Sequence, residues 1–198
     1  MRRIAFVGLV LVASLAAAPA QAHGNAQLGD FYAGLFQPFF HPEFLLAALA
    51  IALWSTQQEP SSAVALCVGF AAAVLAGSAV AELGAAADAS AWGPRLCALA
   101  VGPLVAARVR VPATLAAVVA IAAGLAHGNA GTAPELAQLT RPVLWAFGLG
   151  LGSLLLGAYA NAMTARFPAF WMQVAVRVVG SWISSIALLV AVMATRTR

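Results

Sequence analysis

The sequence predicts an all-α polytopic membrane protein, a six-helix transmembrane bundle that follows a cleaved N-terminal signal peptide. Three observations support this fold class. Hydrophobic residues make up 63% of the chain and charged residues only 8%, whereas a soluble domain has roughly 25% charged residues. The apolar residues form segments whose length is close to the about 20 residues that a helix needs to span a bilayer. The N-terminus also has the layout of a secretory signal.

The first 22 residues have the parts of a signal peptide. The basic pair Arg2 and Arg3 precedes an apolar stretch that ends in a small-residue cleavage site, Ala20-Gln21-Ala22. We therefore expect a signal peptide over residues 1–22 and a single six-helix transmembrane domain over residues 23–198. An uncleaved N-terminal anchor is the alternative.

Six apolar segments follow, and proline, glycine and charged residues mark the breaks between them. We place the membrane-spanning helices near residues 38–55, 62–81, 92–107, 112–127, 142–164 and 168–194. In a multi-pass protein of the bacterial inner membrane, a cleaved signal leaves the mature N-terminus in the periplasm. Arg108, Arg110 and Arg166 then face the cytoplasm, as the positive-inside bias prefers, although Arg95 and Arg141 fall on the periplasmic side.

Several classes of function are not expected from this composition. No basic run alternates with aromatic residues, so we expect no nucleic-acid partner. Cys67 and Cys97 lie within apolar segments near opposite faces of the bilayer, which predicts two unpaired thiols that serve as packing. The serines of the last segment have no histidine or carboxylate at matching depth, so the chain is not expected to be an enzyme. No permanently bound cofactor is expected, and haem held by His41 and His127 is a distant alternative.

All three histidines and five of the six carboxylates fall on the predicted periplasmic side, at the ends of apolar segments. They are His23, Asp30, His41, Glu43, Glu82, Asp88, His127 and Glu135. Imidazole nitrogens and carboxylate oxygens together suit a divalent transition metal, and transport also requires binding weak enough for release. The sequence therefore predicts a metal site at this face, with His127, Glu43, His41, Glu135 and His23 as its ligands.

Other interpretations of these residues stay open. His127 can cap the C-terminus of its helix, His41 can be an interfacial residue, and Glu43 can belong to a buried ion pair. On an ideal helix the side chains of His41 and Glu43 point about 200° apart. Both can therefore serve one ion only if Pro42 lies in an irregular first turn.

His23 and Arg177 also leave two interpretations each. At the mature N-terminus His23 offers an amine and an imidazole, a chelating pair that favours copper, or it is a frayed end without a role. Arg177 lies inside the last apolar segment, where a guanidinium is costly. Its side chain either extends to the cytoplasmic surface or finds a buried partner.

Residues 34–54 contain a proline at Pro38, a carboxylate five residues later at Glu43 and an apolar stretch that ends at Trp54. This segment resembles the first-helix motif of the HupE/UreJ family of nickel and cobalt permeases, which has His-Pro, four residues, Asp-His and an apolar helix that ends near tryptophan. Pro38 matches the proline, Glu43 stands in place of the aspartate and Trp54 closes the helix. Gln37 and Phe44 replace the two histidines of the motif.

A second segment resembles the family motif His-Gly-x-Ala-x-His-Gly-x-Glu. His127, Gly128, Ala130 and Glu135 match it in register, whereas Thr132 and Ala133 replace the downstream His-Gly. The signal, the six-helix layout and the last helix are also similar to this family, so the resemblance covers essentially the whole chain.

The resemblance implies a secondary permease that carries a divalent transition-metal ion, nickel or cobalt, across the inner membrane. It also implies metalloenzyme assembly proteins as candidate partners. The other partners expected are the metal ion, the lipid bilayer and, as an open possibility, a second copy of the chain. Two alternatives remain open. One is a copper permease, and the other is a non-transporting membrane accessory protein for hydrogenase or urease assembly.

Overall fold

The computed structural model describes residues 29–82, 92–130 and 141–196, and these residues form seven α-helices and no strand. The helices are α1 (Asp30–Phe40), α2 (Pro42–Ser55), α3 (Pro60–Val80), α4 (Trp92–Ala107), α5 (Ala113–Ala130), α6 (Pro142–Arg166) and α7 (Phe170–Arg196). The predicted all-α fold class is confirmed. The predicted signal peptide lies outside the described residues.

Four helices, α3, α5, α6 and α7, are long and apolar enough to cross a bilayer, and α1 and α2 qualify together as a bent pair. The part of the chain that the structure describes therefore holds four candidate spans, or five if the bent pair is one span. The helix predicted at 92–107 is present as α4, but its 16 residues make it shorter than these spans.

The first predicted span, 38–55, differs from the structure because the chain bends by 80° between α1 and α2. The break lies at His41, which has an extended backbone with φ −119° and ψ 109°. Proline disfavours helical geometry in the residue before it, so Pro42 accounts for the break at His41. Pro42 then begins α2, where its missing N–H leaves no helical hydrogen bond unmade.

Helix α2 is the centre of the bundle. It packs against all six other described helices, and ten of its 14 residues are buried. A helix that is apolar on every side is stable only when other helices surround it. Around α2, the closest pairs are α3 with α5, α1 with α6, and α4 with α7.

The bundle has two ends, which we name after the residues that mark them. At the histidine end, α2, α4 and α6 begin while α3 and α5 end, and this end contains Glu43, Arg95 and His127. At the arginine end, α2, α4 and α6 end while α3 and α5 begin. This end contains Arg108 and Arg110 next to the α2–α3 connection.

Glycines let two of the helix pairs approach closely. A Cβ on Gly148 of α6 would collide with a backbone carbonyl of α1, and one on Gly128 of α5 would collide with a backbone carbonyl of α3. Small residues four positions apart are typical of such contacts between membrane helices. In α6 the pair is Gly148 and Gly152, and in α5 it is Gly124 and Gly128.

Candidate functional site

The side chain of His127 is fully enclosed at the histidine end. It lies in the last turn of α5 with 0% of its surface exposed. The rings of Phe44 from α2 and Phe70 from α3 stand edge-on to it, with centroid distances of 4.8 and 5.5 Å. The close approach of α5 to α3 at Gly128 places the imidazole between these helices.

Neither ring nitrogen of His127 has a hydrogen-bond partner. The imidazole therefore does not cap a carbonyl of its own helix, which was the alternative interpretation. Leaving a buried polar group without a partner costs about 1–3 kcal/mol. A neutral imidazole with an unused lone pair is also the form that binds a transition metal. His127 is thus buried, and its ring nitrogens have no hydrogen bond that would compete with a metal ion.

His41 lies at the break between α1 and α2, in the irregular backbone that a shared site with Glu43 requires. Its N–H donates to the carbonyl of Gln37, and its own carbonyl accepts hydrogen bonds from the first turn of α2. Its ring stands edge-on to Phe44 with a centroid distance of 6.1 Å. The ring of Phe44 therefore contacts the imidazoles of both His41 and His127.

Glu43 forms an ion pair with Arg95 of α4, with 3.9 Å between its Oε1 and Nη2 of the arginine. The two side chains are 23% and 18% exposed, so the pair is largely shielded from solvent. The guanidinium of Arg95 also lies 5.5 Å from the centroid of the Trp92 ring. An ion pair is one of the interpretations open for Glu43, and Arg95 is its partner in the structure.

The other two predicted ligands, His23 and Glu135, lie outside the described residues, as does Asp88. Asp30 accepts a hydrogen bond from the backbone N–H of Arg141 and so fastens α1 to the start of α6. Within residues 29–82, 92–130 and 141–196, no three His, Cys, Asp or Glu side chains come together as a metal site.

Two smaller predictions concern residues outside the proposed ligand set. Cys67 and Cys97 are both buried and unpaired thiols, and Cys67 contacts the hydroxyl of Ser55 at 3.3 Å. Arg177 donates from Nε to the carbonyl of Ala106 at 2.8 Å. Its charge thus meets the C-terminal end of α4, where the helix dipole favours a cation.

The apolar helices and the buried polar residues at one end of the bundle define a multi-pass membrane protein. Comparison with protein-family models gives a match to the family described as HupE / UreJ protein over residues 10–190. The chain belongs to the HupE/UreJ family. Comparisons with curated proteins and with solved structures each give no match.

Proposed function

We propose that the protein is a secondary permease of the bacterial inner membrane that carries a divalent transition-metal ion, with nickel or cobalt as its cargo. The histidine end would face the periplasm and the arginine end the cytoplasm. Membership of the HupE/UreJ family supports this class of function. A six-span topology follows if the bent α1–α2 pair is one span and the short helix α4 is another.

The observation that carries the proposal is the buried imidazole of His127, whose two nitrogens have no hydrogen-bond partner. Metal ions bind neutral imidazole through such a nitrogen. In this proposal His127 is the central ligand, His41 and Glu43 approach it from the break between α1 and α2, and Glu135 and His23 complete the site. An arriving cation competes with Arg95 for the Glu43 carboxylate, and the ring of Phe44 moves aside.

Electrical potential can drive such a carrier without nucleotide hydrolysis, and the sequence has no Walker motif. A membrane potential of about 100 mV contributes about 2.3 kcal/mol per charge, hence roughly twice that for a dication. Copper is the alternative cargo, because the amine and imidazole of a terminal His23 favour that metal. The proposal includes no catalytic activity and no permanently bound cofactor.

Uptake of radioactive nickel and cobalt into cells tests the proposal. Cells that express the protein should accumulate metal, and His127→Leu and Glu43→Gln should abolish the accumulation. Glu59→Gln is a matched control because it removes the same charge from an exposed position at the arginine end. Accumulation that is unchanged by deletion of the protein, or by His127→Leu, contradicts transport through this site.

One observation favours a second candidate, a non-transporting membrane accessory protein for metalloenzyme assembly. Phe44 covers the imidazole of His127 in the position where the family motif has a histidine. Such a protein would bind metal or an assembly partner without moving an ion across the bilayer. Purified protein that binds nickel through His127 but transports none into proteoliposomes would favour this candidate.

A further inference from the structure

The arginine end contains a cavity of about 390 Å³, and none of the proposed metal ligands lines it. Its walls come from the α2–α3 connection, the α4–α5 connection, the end of α6 and the start of α7. Cavities of about 300–1,000 Å³ are the usual size for small-molecule sites. Its polar lining includes Gln57, Arg108, Arg110 and Gln173.

The charge of the cavity wall favours an anion. Arg108 and Arg110 line it, and none of the described residues in its wall is acidic. Nη1 of Arg108 donates to Oε1 of Gln173 at 2.8 Å, and Nε of Arg110 donates to the carbonyl of Gln57 at 3.0 Å. Each guanidinium has five N–H donors, so these bonds orient the arginines and leave other donors for a ligand.

Gln57 offers a ligand in the cavity a buried hydrogen-bond acceptor. Its side chain is 8% exposed, and its Nε2 donates to the carbonyl of Val105 at 3.0 Å. That bond fixes which side-chain atom is the nitrogen. The other atom, Oε1, is buried without a hydrogen-bond partner. A buried acceptor of this kind is satisfied only by a hydroxyl, an amine or water.

The backbone at Arg108 ends helix α4 at the edge of the cavity. Its φ of 56° lies in the left-handed region, which no other non-glycine residue in the described ranges adopts. The N–H groups of Arg108 and Val109 donate to the carbonyls of Val105 and Leu104, which is the Schellman ending of a helix. Glycine is the usual residue at this position. The helix ending thus fixes where the Arg108 side chain leaves the backbone.

We propose that this cavity binds a phosphate group that also carries a hydroxyl donor. The phosphate oxygens accept from Arg108 and Arg110, since guanidinium groups match phosphate geometry, and the hydroxyl donates to Oε1 of Gln57. Two sources share this chemistry. One is the head group of phosphatidylglycerol, whose glycerol hydroxyls lie beside its phosphodiester, and the other is inorganic phosphate in its protonated form.

A ligand series on the unmodified full-length protein in detergent tests the proposal. The probes are dioctanoyl phosphatidylglycerol, phosphatidylmethanol, phosphatidylcholine and inorganic phosphate, with affinity measured by calorimetry and stoichiometry by native mass spectrometry. Phosphatidylglycerol should saturate a single site. Phosphatidylmethanol keeps the charge but lacks the hydroxyls, so it should bind about fivefold more weakly. Phosphatidylcholine should not saturate the site.

Arginine variants locate the binding. Arg108→Gln should weaken phosphatidylglycerol binding about tenfold or more. Arg166→Gln is the matched control, because Arg166 lies at the same end of the bundle against the ring of Phe167 and does not line the cavity. If Arg108→Gln does not fold, the ligand series decides by itself.

The results distinguish a lipid head group from inorganic phosphate as the ligand, and both from the absence of a specific site. Saturation by inorganic phosphate, with no saturation by the lipids, supports the site and identifies free phosphate as its ligand. Equal binding of phosphatidylglycerol and phosphatidylcholine overturns the proposal. Equal losses in Arg108→Gln and Arg166→Gln, or no saturable binding of any probe, overturn it as well. No measurement here depends on metal transport.

Discussion

The ring of Phe44 stands edge-on to the imidazole of His127, with centroids 4.8 Å apart and ring planes at 82°. Such an aromatic contact contributes about 0.5–1.5 kcal/mol. The unsatisfied imidazole costs about 1–3 kcal/mol, and an apolar side chain at this position would avoid that cost. Sites that bind ligands are often less stable than an apolar core would be. An apolar side chain in place of the imidazole should therefore stabilise the bundle.

Replacing His127 with leucine should raise the stability of the bundle while it removes function. The change exchanges an unsatisfied polar group for an apolar one, so we expect a gain of about 1–3 kcal/mol. Thermal unfolding in detergent measures the stability, and nickel uptake measures the function. A loss of stability would contradict the prediction. It would show that the contacts of the imidazole with Phe44 and Phe70 contribute more than its unsatisfied nitrogens cost.

Ser153→Ala is the control for this variant. The hydroxyl of Ser153 is likewise buried in α6 without a hydrogen-bond partner, so its removal should also leave stability equal or higher. Ser153 is not among the predicted metal ligands, and we therefore expect uptake to be unchanged. Loss of uptake in Ser153→Ala would show that core substitutions in general, rather than the imidazole, affect transport.

Phe44→His should strengthen nickel binding. The new imidazole would lie next to His127 and beside His41, where the aromatic ring now contacts both. An additional nitrogen ligand suits nickel and cobalt, and we expect an increase in affinity of about tenfold or more, or about 1.4 kcal/mol. Calorimetric titration of the purified protein with Ni²⁺ measures it. Phe44→Leu, which removes the ring without adding a donor, is the control, and an equal gain in both variants would contradict the prediction.

The ion pair between Glu43 and Arg95 predicts a measurable coupling. Stability of the single variants Glu43→Gln and Arg95→Gln and of the double variant should give a coupling energy of about 1 kcal/mol, near the upper end for partly exposed pairs. If Arg95 competes with the cargo, Arg95→Gln should also bind Ni²⁺ more tightly than the unmodified protein. Weaker Ni²⁺ binding in Arg95→Gln would contradict that competition.

The limits of the sequence analysis are clearest in helix α2. Prolines at the first helical position mark α3 and α6, and the predicted bounds of the last five helices lie within a few residues of those observed. The first prediction, 38–55, missed most of α1, which begins at Asp30. The break at His41 was not predicted, although Pro42 was a visible signal. The apolar run from 38 to 55 continues across the proline, and hydropathy alone does not show a bend of 80°.

For the site, the sequence indicated which face holds the histidines, but not which side chains meet. The contact of Phe44 with His127 depends on how α5 packs against α2 and α3, and that packing depends on Gly128. The spacing of Gly124 and Gly128 in the sequence is a signal for such close packing. Pairing of Glu43 with Arg95 joins residues on α2 and α4 that no sequence pattern connects.

The position of His127 depends on Gly128, and this dependence gives the last prediction. Gly128→Ala places a methyl group against the carbonyl of Val74 in α3, so the two helices must separate. Overpacking of this kind costs about 1–3 kcal/mol, and the shift also moves the adjacent imidazole.

Gly69→Ala in α3 is the matched control, because a Cβ there meets nothing within 4 Å. That variant should be neutral or more stable by about 0.5–1 kcal/mol, since alanine favours a helix. Thermal unfolding and Ni²⁺ titration of both variants measure the difference. If Gly128→Ala unfolds and binds Ni²⁺ like Gly69→Ala, close packing of α5 on α3 does not position His127.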